Sequence, residues 1–123
     1  MKIGAFVPQG WRMDLNGIPI EEQWNTIINS AKNIEDLNYE SIWVYDHFHT
    51  VPQPTQDPTY ECWTLMSALS QTTSKVRLGQ MCTCNSYRNP SYLTKVASNI
   101  DVISGGRLEY AIGAGWYDHE YKA

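Results

Sequence analysis

Four short apolar segments recur along the chain at an even spacing, and this spacing restricts the possible fold most strongly. They begin near Ile3, Ser41, Val76 and Arg107, and amphipathic helical patterns join the first three to their successors. Strands that alternate with helices predict βαβ units and a parallel sheet. A closed barrel of such units has eight strands and typically ~250 residues. The 123 residues therefore predict half of a (β/α)8 TIM barrel, an α/β fold.

We expect the four strands to pair in parallel, in the order one to four, with the helices on the outer face. The apolar patterns predict that the third strand runs without a break over residues 76–84 and the fourth over 107–115. Asn89 and Pro90 are typical of a helix start, and Gly105-Gly106 is typical of a helix end. No linker or change in composition divides the chain, so residues 1–123 are expected to form a single domain, an N-terminal half-barrel.

Composition excludes several classes of partner and compartment. The formal net charge is −4 and no Lys/Arg cluster is present, which argues against nucleic acid as a partner. The apolar run before Pro8 is too short for a signal-peptide core or a membrane span. Three cysteines are an odd number, which favours a reducing cytoplasm over a disulfide framework.

The candidate catalytic residues follow the second strand, because parallel α/β folds bind ligands beyond the carboxyl ends of their strands. Asp46 and His47 are adjacent there, and a carboxylate beside an imidazole can orient it for proton transfer. In the alternative interpretation, Asp46 caps the turn and His47 is a polar loop residue. His47 and His49 also have the spacing found in metal-dependent hydrolases, although further ligands from later strands would be needed.

Two other rim segments allow more than one interpretation. Cys82 and Cys84 are two residues apart without the further ligands of a zinc site, so we expect both to be small buried residues. Gly113 and Gly115 lack the third glycine of a dinucleotide fingerprint, and they would let a flat ligand approach the backbone. The adjacent Trp116 would either stack on such a ligand or cover the open end of the sheet.

Several motifs together resemble the bacterial luciferase-like flavin- and deazaflavin-dependent oxidoreductases, including the coenzyme F-420-dependent branch. They are Asp46-His47-Phe48, the stretch from Arg77-Leu78-Gly79 to Asn85, Tyr87-Arg88-Asn89-Pro90, Asp101-Val102-Ile103-Ser104-Gly105-Gly106-Arg107-Leu108, and Gly113-Ala114-Gly115-Trp116-Tyr117 with Glu120-Tyr121. The similarity covers nearly the whole chain, and the segment from Ser104 to Trp116 is its most specific part.

The resemblance implies a function and a set of site residues. Members of this family are (β/α)8 barrels that hold FMN or coenzyme F-420 over the barrel mouth and pass hydride to or from its ring. By resemblance, His47 is the active-site histidine and Asp46 its neighbour. Met81 and Cys82 fall at the strand bulge behind the ring, commonly with a cis peptide between them. Gly115 and Trp116 fall at the rim beside the ring and the substrate.

The sequence also predicts what the chain would do alone. The family's phosphate-binding loops follow later strands, so we expect a half-site that does not retain FMN or F-420 by itself. Strands one and four would be open edges, which predicts self-association into a homodimer or a higher oligomer. The alternatives to an oxidoreductase half-site are a self-associating half-barrel without catalysis and a metal-dependent hydrolase that uses His47 and His49.

Overall fold

The computed structural model describes all residues from Met1 to Ala123 and contains one main sheet with helices packed on one of its faces. The elements are β1 (Gly4–Phe6), α1 (Ile20–Asp36), β2 (Ser41–Val44), α2 (Cys62–Thr72), β3 (Arg77–Gln80), β4 (Thr83–Cys84), α3 (Pro90–Ser104), β5 (Leu108–Glu109), β6 (Ile112–Gly113) and α4 (Asp118–Lys122). The main sheet has the order β1-β2-β3-β5, and every pair is parallel. The predicted half-barrel with outer helices is confirmed.

Two strands that the sequence predicted as continuous are each divided in the structure. The third strand ends at Gln80 and resumes at Thr83, and the Met81–Cys82 peptide bond between them is cis, as the resemblance implied. The fourth strand is also interrupted, between β5 and β6, but without a cis peptide bond. The short strands β4 and β6 pair with each other in parallel and form a separate two-stranded ladder. This ladder lies at the carboxyl end of the main sheet, where it lines the candidate site.

The hydrophobic core lies between the main sheet and the first three helices. Ile42 and Val44 of β2 and Leu78 of β3 point into it, and all three are almost fully buried. Each helix contributes one apolar stripe, for example Ile27 from α1 and Met66 from α2. A sheet face covered by helices in this way is typical of parallel α/β folds.

The opposite face of the sheet corresponds to the inside of a barrel and is partly open. The Trp43 ring lies across this face, because a Cβ atom added to Gly79 would come within 2.4 Å of it and one added to Gly4 within 2.5 Å. Phe6 stacks on Tyr45 at 4.4 Å between ring centroids and remains 43% exposed.

The predicted boundaries of α3 are confirmed. The Asn89 side chain accepts hydrogen bonds from the backbone N–H groups of Ser91 and Tyr92, and Gly105 ends the helix in the left-handed conformation with φ of 73°. Ile103, in the last turn of the helix, is 55% exposed, whereas Ile100 and Ser104 in the same part of the helix are buried. No helix of the chain combines the length and the apolar character needed to cross a membrane.

Candidate active site

A cavity of about 240 Å³ lies at the carboxyl ends of the strands, where the short ladder meets the loop after β2. Its lining includes all six residues that the sequence singled out as catalytic or cofactor-binding. The lining residues are Asp46, His47, Met81, Cys82, Cys84, Tyr87, Gly113, Gly115 and Trp116. Three segments separated along the chain, residues 46–47, 81–87 and 113–116, therefore converge on one small space.

His47 is buried and held on three sides. Its ring stacks on Trp11 at 4.4 Å with an interplanar angle of 2°, and the ring of Trp116 approaches edge-on at 5.8 Å. Its Nδ1 lies 2.8 Å from Oε2 of Glu120. The Nε2 atom has no hydrogen-bond partner within the chain, so it is the ring nitrogen available to a ligand in the cavity.

Glu120 is the residue that sequence reasoning did not identify as part of the site. It lies on α4, 73 residues from His47 along the chain, and its side chain is fully buried. Besides His47, its carboxylate accepts hydrogen bonds from the backbone N–H groups of Phe48 at 2.6 Å and His49 at 3.0 Å, and from the Tyr87 hydroxyl. Burial alone would raise the pKa of Glu120, but these hydrogen bonds outweigh it and lower the pKa below its usual value.

Asp46 does not orient the imidazole of His47, so that part of the prediction was wrong. Both of its carboxylate oxygens accept hydrogen bonds from the Arg88 guanidinium, at 2.7 and 2.8 Å. It also accepts the backbone N–H of Cys84 at 2.8 Å and the thiol of Cys62 at 3.2 Å. Asp46 thus connects the loop after β2 to the segment around Cys84. The role that was expected of Asp46, orienting the His47 ring, belongs to Glu120.

The carboxylates of Asp46 and Glu61 form a cluster with the thiol of Cys62, with ligand atoms within 4.8 Å of one another. The Arg88 guanidinium donates to both carboxylates, so a cation already pairs with them and offsets one of their two negative charges. Burial and the charge of Asp46 raise the pKa of Cys62, which keeps it a thiol rather than a metal-binding thiolate. We therefore interpret the cluster as a structural ion network.

His47 and His49 are not brought to a common ligand position. The ring of His49 packs against His119 at 4.7 Å between centroids, whereas His47 is held by Glu120. Neither histidine belongs to a cluster of three or more potential metal-ligating side chains. The geometry gives the hydrolase alternative no support.

The two cysteines of the rim differ in exposure. Cys84 is buried, and its Sγ lies 3.4 Å from the Tyr121 hydroxyl. Cys82 is exposed at the cavity, so the expectation that both cysteines are buried was wrong for Cys82. The break in the strand at Met81 changes which side chains the rim exposes, and the apolar pattern gives no signal for it.

The other side of the cavity is formed by glycines and by one large aromatic side chain. Gly113 and Gly115 line the cavity there, and Gly115 has a φ of +80° and packs against the Tyr121 hydroxyl and the Cys84 thiol where a side chain would be. Trp116 follows directly and is 65% exposed. The exposed indole of Trp116 and thioether of Met81 at a small cavity suit a flat ring, so the residues fit the ring of a flavin or deazaflavin.

The family model for luciferase-like monooxygenases matches residues 1–123. The chain belongs to this family. Its curated relatives include the pyrimidine monooxygenases RutA of Serratia proteamaculans, 29% identical, and of Klebsiella pneumoniae, 30% identical. These alignments cover 99% and 98% of this chain, but only 34% of each relative. The chain therefore spans about a third of the length of these luciferase-like relatives.

Solved structures of similar proteins agree with this assignment. The luciferase-like chain is 26% identical to an F-420-dependent secondary alcohol dehydrogenase in complex with an F-420–acetone adduct, with a TM-score of 0.74 over 93% of this chain and 32% of that one. The oxygenating constituent of 3,6-diketocamphane monooxygenase from Pseudomonas putida, in complex with FMN, superposes with a TM-score of 0.78 at 20% identity. That alignment covers 99% of this chain and 32% of the monooxygenase and shows a shared fold.

Proposed function

We propose that this chain forms the His47 side of a flavin or deazaflavin site in a luciferase-like oxidoreductase. The observation that carries the proposal is the convergence of the six predicted residues on one cavity, with Nε2 of His47 free of protein partners. His47 exchanges a proton with the bound ligand at Nε2, and Glu120 and Trp11 hold its ring in place. Asp46 acts at a distance, by fixing the loop that carries His47.

The ring of FMN or of coenzyme F-420 would be held by Met81, Cys82 and the glycine backbone, with Trp116 at its edge. When bound, such a ring supplies hydride transfer to or from a substrate. The chain's own residues exclude water from one side of the ring, orient it and provide the proton-exchanging nitrogen. Separate titrations with FMN and with F-420 distinguish the two cofactors.

The same cavity offers little to the phosphates of these cofactors. No Lys or Arg lines it, and the nearby Arg88 is engaged by Asp46 and Glu61. Phosphate groups bind most strongly to Arg, Lys and helix N-termini. We therefore propose that the chain alone holds either cofactor weakly and that turnover requires phosphate-binding groups outside this cavity.

Titration of the purified chain with FMN and, separately, with F-420 tests the proposal. We expect saturable quenching of cofactor fluorescence, with weak affinity, for at least one of the two. Trp116→Ala and His47→Gln should reduce the affinity several-fold, because they remove contacts at the ring. His119→Gln is the matched control, since His119 does not line the cavity, and it should bind like the unaltered chain. Absence of any saturable binding, or equal affinity in all four proteins, would contradict the proposal.

The second candidate is a half-barrel that self-associates without catalysis, and the open edges of the sheet favour it. β1 and β5 are the terminal strands of the main sheet, and each has one side without a partner strand. Self-association and cofactor binding are compatible, so only a failure of the cofactor titration would favour this candidate as the whole function.

A further inference from the structure

We infer that Glu120 is a positioning residue that fixes the tautomer of His47, with the proton on Nδ1 and a bare Nε2 facing the cavity. The assignment of the His47 tautomer rests on the hydrogen bonds around the Glu120 carboxylate and on its ionised state. Its consequence for the ligand rests on the proposed function.

Four groups surround the Glu120 carboxylate within hydrogen-bonding distance. Oε1 receives two backbone N–H groups, from Phe48 and His49, and a backbone N–H can only donate. Oε2 receives the hydroxyl of Tyr87 and faces Nδ1 of His47. Oε1 must therefore be an acceptor, and Oε2 can accept from both of its neighbours when the carboxylate is ionised.

An acceptor-only partner determines which nitrogen of His47 carries the proton. At a separation of 2.8 Å from Oε2, Nδ1 forms a hydrogen bond only if it is the donor. A neutral imidazole has one N–H and one bare nitrogen, so Nε2 is then the acceptor. The lowered pKa of Glu120 agrees with an ionised carboxylate at neutral pH.

The bare Nε2 defines the kind of group that the cavity recognises. A ligand atom that meets Nε2 must donate a hydrogen bond, as a hydroxyl or an N–H does, while a carbonyl oxygen would face a lone pair. Any proton that His47 accepts arrives at Nε2, because Nδ1 is already protonated. With a ligand bound in the proposed site, Nε2 of His47 therefore accepts a hydrogen bond from a donor group of that ligand.

The variant Glu120→Gln is expected to change which ring nitrogen of His47 carries the proton. The two backbone N–H groups of Phe48 and His49 cannot become acceptors, so the carbonyl oxygen of the glutamine must face them. Its NH₂ group then faces Tyr87 and His47. The Tyr87 hydroxyl can rotate to accept, whereas His47 must present a bare Nδ1 and move its proton to Nε2. Replacing one carboxylate oxygen of Glu120 by an NH₂ group should therefore move the His47 proton from Nδ1 to Nε2.

Two-bond ¹⁵N–¹H correlation spectra of the histidine rings identify the tautomer of His47 directly, because protonated and bare ring nitrogens have well-separated ¹⁵N shifts. The chain has three histidines, and His49→Gln and His119→Gln each remove one of the other two signals for assignment. Spectra are recorded at a pH where the His47 ring is neutral. We expect Nδ1–H for His47 in the unaltered chain and Nε2–H in Glu120→Gln.

Tyr87→Phe is the control variant, because it removes one donor from Glu120 but leaves the carboxylate, and it should retain Nδ1–H. An Nε2–H ring in the unaltered chain would overturn the inference. So would an unchanged tautomer in a folded Glu120→Gln protein. If that variant does not fold, the spectrum of the unaltered chain still decides. No cofactor is present in these experiments, so their failure is separate from a failure of the cofactor titration.

Discussion

Arg88 pairs with the buried carboxylate of Asp46 and thereby connects the loop after β2 to the start of α3. Its side chain is 11% exposed and that of Asp46 is 0% exposed. Burial alone would lower the pKa of Arg88, but the bonds to Asp46 raise it overall, so the guanidinium stays charged. The residue therefore stabilises the loop that carries His47 without contacting the cavity.

Arg88→Met should destabilise the fold by about 3 kcal/mol, because Asp46 is left as a buried carboxylate without its cation. Urea unfolding gives the free energy of unfolding for both proteins. Arg12→Met is the control, since Arg12 is exposed and only lies over the ring of Trp11 at 5.5 Å. That variant should cost less than about 1 kcal/mol. Equal losses in the two variants would show that the buried ion pair contributes nothing.

Gly115 is restricted both by its backbone and by its surroundings. Its φ is +80°, and an added Cβ would lie 2.1 Å from the Tyr121 hydroxyl and 2.7 Å from Sγ of Cys84. Gly17 has a similar φ of +79° and nothing within 4 Å of an added Cβ. Gly115→Ala should therefore lower the free energy of unfolding by about 1–3 kcal/mol more than Gly17→Ala, since only the first adds a steric clash. Similar losses for the two alanines would mean that Tyr121 and Cys84 move aside easily.

At the scale of elements, the C-terminal turn of α1 holds the start of β3 through one side chain. The Glu35 carboxylate accepts hydrogen bonds from the backbone N–H groups of three successive residues, Ser74 to Val76. Burial alone would raise the pKa of Glu35, but these bonds lower it below 4.5. Because the folded pKa is lowered, this stabilisation is present above the unfolded pKa and is lost as the pH falls through the folded one.

Glu35→Gln should cost about 1 kcal/mol of unfolding free energy at pH 7, a modest value because the carboxylate is partly solvated. The difference from the unaltered chain should shrink as the pH falls from the unfolded pKa of Glu35 through its lowered folded pKa, because the protonated carboxyl then resembles glutamine. Denaturant unfolding of both proteins at a series of pH values measures this difference in unfolding free energy. The neighbouring Asp36→Asn, which loses no hydrogen bond, should change stability by less than about 0.5 kcal/mol at pH 7. A difference that grows at low pH would contradict this account.

At the scale of the whole molecule, the main sheet has two open edges and one partly open face. A groove of about 640 Å³ follows β1 and α1, and one of about 410 Å³ follows β5 and α3. Unpaired edges beside apolar grooves favour pairing with another strand and helix. We propose that two copies associate through these edges, although a dimer that only buries the inner faces is the alternative.

We expect light scattering at micromolar concentration to give a mass of at least twice 14.1 kDa. Phe6→Lys should shift the protein toward the monomer, because it places a charge on the edge strand and the open face. Ile20→Lys, at an exposed position of α1, is the control and should leave the mass unchanged. A stable monomer of the unaltered chain would refute self-association, and equal masses for the two lysine variants would place the contact elsewhere.

The features that the sequence determined by itself are those encoded by neighbouring residues. The alternation of strands and helices follows from apolar spacing, and the ends of α3 follow from the cap at Asn89 and the left-handed turn at Gly105. The position of His47 after β2 placed it at the rim, because every parallel strand ends at the same edge of the sheet. These predictions needed only local periodicity and the general geometry of parallel sheets.

The partners of the site residues were decided only by the tertiary structure. Asp46 is adjacent to His47 in sequence, yet it turns to Arg88, and His47 bonds to Glu120 from a helix 73 residues away. Successive residues at a strand end point to opposite sides, so a neighbour in sequence is not a neighbour in space. The choice between two carboxylates depends on where α4 docks and which buried donors need an acceptor, and no local pattern records either.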